Sequence, residues 1–288
     1  ENRELIMAID ELEKEKGISK EYLLESLETA LVSAYKKNFD SAENVKVEID
    51  SQTGEIHVYA QKEVVETVEN SQLQISLEDA KKIEKKAKIG DIINIETKPK
   101  DFGRIAAGAA KQHVIQKVRE AERNMIFDEY NDRKGEIVTG IIQKADKGTV
   151  VLDLGKLEGI MPLKEQIPTE HYHVNDKIKA YVLSVEKGLK GAPQVLVTRS
   201  HPDVIKKLFE LEIPEIYEGL IEIKSVSRDA GSRSKVAVYS ENPNIDPIGA
   251  CIGEKSSRIS RIIEEINGEK IDLVKYDKDP AVFIANAL

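Results

Sequence analysis

Between residues 247 and 262 the chain has room for two helices and almost none for the turn that joins them. Ile248, Cys251 and Ile252 mark a short apolar helix that ends at Gly253, and Arg258, Ile259 and Ile262 fall at helical spacing in the next. The chain must therefore bend through Glu254-Lys255-Ser256. A tight turn of small residues between two helices leaves backbone N–H groups without helical partners, and Lys255, Arg258 and Arg261 stand beside them. The residues alone allow two readings: a corner that meets a phosphate, or a plain helix-turn-helix with a glycine stop.

A chain of 288 residues has the length for two or three domains with real cores. Its single cysteine excludes an internal disulfide and cannot build a zinc site, which suits a reducing cytoplasm. No apolar run approaches the roughly 18 residues needed to span a bilayer, and no signal-peptide pattern opens the chain. Residue 1 is Glu, so the native start is expected upstream. A net charge of −9 looks wrong for a nucleic-acid binder, but its distribution matters more. Residues 1–60 carry 14 Asp/Glu against 7 Lys/Arg, whereas residues 134–199 carry 8 against 10. The acidity thus sits at the N-terminal end, where it suits a protein partner or plain solubility.

Residues 2–39 read as two helices, the first with Leu5, Ile9 and Leu12 inward and ended by Gly17. Ser19 is the N-cap of the second, whose inward residues are Leu24, Leu27, Leu31, Ala34 and Tyr35. A hairpin follows, with Val45, Val47 and Ile49 alternating, a turn at Ser51–Gly54, and Ile56, Val58 and Ala60 returning. Ser76-Leu-Glu-Asp79 starts a lysine-rich helix expected to run to Gly90, its lysines forming a solvated face. Ile92, Ile93 and Ile95 make a strand closed by Pro99.

Asp101 is placed to cap a long helix over residues 101–127, with Ala107, Ala110, Val114, Val118, Ala121 and Met125 as its apolar stripe. Arg104 and Lys111, seven apart, project along one border of that stripe beside small residues that let a partner approach. A connecting helix with ordinary charges explains the same pattern. The wording Phe102-Gly-Arg-Ile-Ala-Ala107 followed by Ala110-Lys-Gln112 resembles the NusA family of bacterial transcription elongation and termination factors. In that family a long helix links a polymerase-binding head to an RNA-binding body.

Residues 134–199 read as five short strands, 136–143, 149–153, 157–161, 177–185 and 194–198, punctuated by Gly148, Gly155, Gly159 and Pro162. Closely spaced antiparallel strands with glycine corners suggest a small OB-type barrel. Gly135, Val138, Gly140, Val151, Leu154, Gly159, Pro162 and the strand Val195–Arg199 resemble the S-one RNA-binding module. Such modules usually offer an aromatic near the first turn, where this chain has Lys144-Ala-Asp-Lys-Gly148. Without stacking worth about 1–3 kcal/mol per base, the barrel is expected to bind RNA weakly, through Lys144 and Lys147, or to serve as a spacer. His171 and His173 share a strand-like spacing but lack further ligands, so no metal is expected.

From Ser200 onward the order is helix, strand, strand, helix, loop, helix, strand. This resembles the prokaryotic type (type II) of KH domain, whose GXXG loop clamps about four nucleotides of single-stranded backbone. The phrases Arg228-Asp-Ala-Gly-Ser-Arg-Ser-Lys-Val-Ala-Val238 and Asp246-Pro-Ile-Gly-Ala-Cys-Ile-Gly253 resemble the first KH domain of the NusA family. Ser256 replaces the second glycine of the loop. Cys251 reads as a small core residue.

The expected fold is therefore multidomain α+β. Residues 1–133 form an α/β head with a long connecting helix, residues 134–199 a five-stranded OB-type β-barrel, and residues 200–278 a KH domain. Residues 279–288 would open a truncated second KH domain. No G-x-S-x-G, G-x-x-x-x-G-K-[ST] or H-E-x-x-H pattern occurs, so neither catalysis nor a cofactor is expected. The resemblance implies a cytoplasmic monomer, away from membranes, that binds RNA polymerase and nascent single-stranded RNA. It would thereby modulate pausing, termination and antitermination, in company with other transcription elongation factors. RNA contacts are expected from Ile252, Gly253, Glu254, Lys255, Ser256 and Arg258, with phosphate contacts from Arg228, Arg233 and Lys235. Lys36, Lys37, Arg104 and Lys111 are candidates for polymerase or exit-RNA contact. The alternative is an RNA-binding accessory region of an RNA-decay or translation factor, which the module order and the 133-residue head disfavour.

Overall fold

Two helices that meet a small sheet open the chain in the computed structural model, which describes residues 2–39, 44–146, 148–188 and 191–288. Contacts divide the chain into two compact units, Glu1–Glu122 and Arg123–Leu288.

In the first unit, α1 (Asn2–Lys16) and α2 (Lys20–Phe39) form because apolar residues recur at helical spacing. Ile6, Ile9, Leu23, Leu27 and Leu31 are buried against β1 (Asn44–Ile49). That strand pairs antiparallel with β2 (Ile56–Val65) as the expected hairpin, with Val47 opposite Val58. β2 runs further than the hairpin required. Beyond it a three-residue strand, β3 (Gln74–Ser76), pairs parallel with the end of β2 and was not foreseen. Ser76 caps α3 (Leu77–Ile83) by accepting from the Asp79 N–H. The helix stops at Ile83 rather than Gly90, because the chain must turn for Ala87 to join a satellite core of Val64, Ile75, Ala80 and Ile93. β4 (Ile92–Thr97) completes this sheet on the other side of β2.

The long helix, α4 (Phe102–Asn131), departs from the expected stripe near both ends. Phe102, Ala106 and Ala110 are buried, whereas Ala107 and Met125 face solvent. The register is set by aromatics: Phe102 meets Tyr35 edge-on at 5.4 Å and Phe39 at 6.1 Å, centroid to centroid. Asp101 precedes the helix with φ 66°, and its backbone carbonyl takes the Ile105 N–H.

In the second unit, β5 (Ile137–Asp146), β6 (Thr149–Asp153), β7 (Glu158–Met161), β8 (Lys177–Lys187) and β9 (Pro193–Thr198) close a barrel in the order β5-β6-β7-β9-β8. Alternation fills its interior with Val138, Ile142, Leu152, Met161, Val182, Val195 and Val197. Gly140 is required here: a Cβ would lie 2.8 Å from Leu154 Cδ2 and 3.1 Å from the Asp153 carbonyl. Lys144, Ala145 and Asp146 belong to β5 rather than to the turn expected there.

The remainder is a three-stranded sheet with helices packed against it. His201 accepts from the Asp203 N–H ahead of α5 (Pro202–Glu212), followed by the single turn α6 (Pro214–Tyr217). β10 (Glu222–Asp229) and β11 (Arg233–Tyr239) form an antiparallel hairpin. α7 (Pro247–Ile252) and α8 (Ser257–Glu265) flank the turn, and β12 (Lys270–Lys275) returns parallel to β11. Phe209, Ile213, Val236, Val238, Cys251, Ile259 and Ile262 form its core. α9 (Pro280–Ala287) ends the chain beside β12, with Phe283 edge-on to Tyr276.

Candidate nucleic-acid interface

The turn between α7 and α8 uses backbone that side chains rarely adopt. Gly253 has φ 77° and ψ 172°, Lys255 φ 53° and Ser256 φ 60°. Two adjacent left-handed residues other than glycine cost roughly 1–2 kcal/mol each. The Ser256 N–H is satisfied by the Gly253 carbonyl at 3.2 Å, and the Ser257 N–H by that of Glu254. The N–H groups of Glu254 and Lys255 have no partner among the described residues. Both side chains are exposed, so this corner offers two free donors and an ammonium to a phosphate. Ile252 and Gly253 are half-buried at its base.

Arg258 is less free than expected. Its Nη1 donates to Glu215 Oε2 at 2.7 Å and to the Ala250 carbonyl at 2.8 Å, and its stem lies over Gly253. Cys251 beneath is fully buried, and burial pushes its thiol up to about 12, as suits an inert core residue.

The hairpin cations divide sharply. Arg233 is exposed, 3.4 Å from Asp272, and Lys235 donates to the Ala287 carbonyl. With Ser227, Ser232 and Lys270 they line an open cleft of about 510 Å³. Arg228 cannot be a phosphate contact: its side chain is 0% exposed and paired with the equally buried Glu269. A polar loop sequence gave no sign of that partner, 41 residues away.

On the barrel, Lys144 is exposed beside Gln143, Tyr172 and His173. Lys147 lies outside the described residues. Tyr172 is tied down, its hydroxyl accepting from the Ile167 N–H at 3.0 Å and donating to Glu170 at 2.8 Å. Burial first, then the Glu170 charge, raises its pKa well above the ordinary tyrosine value. His171 and His173 are exposed, and among the described residues no cluster of three or more His, Cys, Asp or Glu is placed to hold a metal ion.

Barrel and KH fold are joined by Arg199, which the sequence marked only as a strand end. Its guanidinium donates to both Glu170 oxygens at 2.6 and 2.7 Å, to the Lys179 carbonyl at 2.7 Å and to the Glu265 carbonyl at 2.9 Å. These partners lie far away in sequence, beyond any local signal.

In the first unit, Lys36 and Lys37 are exposed in the last turns of α2. Arg104 and Lys111 are exposed on α4, with Gly103, Ala107 and Gly108 also exposed around them. The small residues thus do border the cations.

Family models match three stretches in order: the NusA N-terminal domain over residues 4–124, the S1 RNA binding domain over 131–192, and the NusA-like first KH domain over 199–276. The transcription termination/antitermination protein NusA of Halalkalibacterium halodurans is 53% identical over 287 residues, all of this chain and 75% of that protein. The chain belongs to the NusA family. NusA of Bacillus subtilis is 51% identical over 99% of this chain and 76% of its own length. The solved N-terminal domain of B. subtilis NusA is 54% identical over 43% of this chain and 99% of that one, with a TM-score of 0.39. Family membership sets aside the RNA-decay and translation readings, and the barrel and KH fold are the RNA-binding modules of a NusA transcription factor.

Proposed function

We propose that this chain tethers nascent RNA to RNA polymerase, and that the Gly253–Ser256 corner is its principal RNA contact. The observation that carries this is the corner's pair of unpartnered N–H groups, at Glu254 and Lys255, beside an exposed lysine. Arg233, Lys235 and Lys270 extend the positive surface along the sheet, and Lys144 adds a weak contact from the barrel. The head, residues 1–133, is the polymerase-binding part, with the small-residue strip around Arg104 and Lys111 at or near the contact. The mechanism requires no bond making: holding two partners on one chain raises the effective concentration of each for the other. Pausing and termination then shift because the emerging strand is held where it leaves the enzyme. Residues 279–288 are assigned to the start of a further KH unit.

Co-elution of the intact chain with bacterial core RNA polymerase at moderate salt tests the polymerase half of this reading. The expected result is a complex weakened by charge reversal at Arg104 and Lys111. A chain that elutes free of polymerase overturns it.

A further inference from the structure

The RNA corner is built against an acid, which is unexpected where a phosphate should bind. Glu215, in the single turn α6, reaches across to Arg258 in the first turn of α8. The same Nη1 also donates to the Ala250 carbonyl of α7, so one guanidinium nitrogen ties three elements together. The aliphatic stem of Arg258 runs directly over Gly253, where an added Cβ would come within 2.7 Å of Arg258 Cγ. Nε and Nη2 have no partner among the described residues, and the side chain is 30% exposed. A guanidinium is planar, so pinning Nη1 also fixes the direction of the free Nε–Nη2 edge.

We propose that Glu215 is a positioning residue for RNA binding: it holds Arg258 so that its free edge, together with the Glu254 and Lys255 N–H groups, meets one backbone phosphate. This rests on the assignment of the corner to RNA. Fixing an arginine before the ligand arrives removes part of the ordering cost of binding.

The sign of the effect separates this from simple electrostatics. Removing a carboxylate beside an RNA site ought to tighten binding, since a like charge is lost. A positioning role gives the opposite sign. The test is fluorescence anisotropy of residues 1–288 with a short unstructured RNA at several KCl concentrations. E215Q is expected to weaken binding about 5- to 10-fold and to flatten the plot of log affinity against log salt by about 0.7, one phosphate contact on a single strand. R258M should do the same, and the double variant should add little to either. A merely structural role for Glu215 would lower the folded fraction without changing the slope, so circular dichroism of each variant accompanies the titration. Unchanged or tighter binding by E215Q, or additive losses in the double variant, overturns the proposal. If the unmodified chain binds RNA and G253D does not, those outcomes count against Glu215 alone. If the unmodified chain binds no RNA, the assignment of the corner falls, and the role of Glu215 with it.

Discussion

Arg228 and Glu269 are sealed together inside the KH fold, with Nη2 3.0 Å from Oε1 and both side chains 0% exposed. The pair is fully furnished: Glu269 also accepts from Ser234 Oγ and the Gly231 N–H, and Arg228 donates to the His201 carbonyl. Breaking such a pair leaves an uncompensated buried charge, which costs about 3–5 kcal/mol. E269Q should therefore lower the stability of the KH fold by about that amount in urea unfolding followed by hydrogen exchange on β10–β12. An unchanged protection pattern would mean the pair is not as closed as it stands here.

Ser256 occupies a left-handed position at φ 60° that suits glycine. S256G should relieve strain, stabilising the fold by at most about 1–2 kcal/mol and so raising the thermal midpoint, with RNA affinity unchanged or slightly higher. A clear loss of affinity would give the serine hydroxyl a direct role in binding.

Gly253 tolerates no side chain for two independent reasons, its φ of 77° and the Arg258 stem above it. G253D would also bring a carboxylate to the corner. Anisotropy should show RNA binding reduced to the residual level of the barrel and hairpin, with the barrel's hydrogen-exchange protection intact. Full affinity in a folded variant would move the RNA site elsewhere.

His113 carries a pH signature in the first unit. Its Nε2 lies 2.9 Å from Ser26 Oγ, which is also 3.0 Å from the Leu23 carbonyl. Burial, followed by the Lys117 charge, lowers its pKa below the ordinary histidine value. The unfolded chain therefore binds this proton more readily than the folded one. Stability is retained at neutral pH and falls as pH drops through about 6.5 toward the folded value. H113Q should flatten that fall in the exchange rates of α2 and α4. An identical pH profile in the variant would refute the assignment.

The sequence shows most of this architecture because its elements are locally consistent. Leu24, Leu27 and Leu31 announce α2, and alternation through Val45, Val47 and Ile49 announces β1, without reference to distant residues. What stayed hidden was decided at long range. Ala106 and Ala107 are chemically identical, and only the meeting of Phe102 with Tyr35 and Phe39 selects which one faces inward. Arg228 looks like Arg233 in the sequence, yet a carboxylate 41 residues later draws one inside and leaves the other out. Arg258 was legible as a cation near the turn but not as the strut that shapes it, because Glu215 lies 43 residues earlier.

A stalled elongation complex tests most directly whether one chain holds polymerase and transcript together. Binding of residues 1–288 would be compared on complexes with a long emerging RNA and on complexes whose RNA is trimmed to the exit. The expected result is markedly tighter binding with the long transcript than to polymerase or RNA alone, a gain that G253D abolishes. Equal affinity for both complexes, or a gain that survives G253D, would contradict the account.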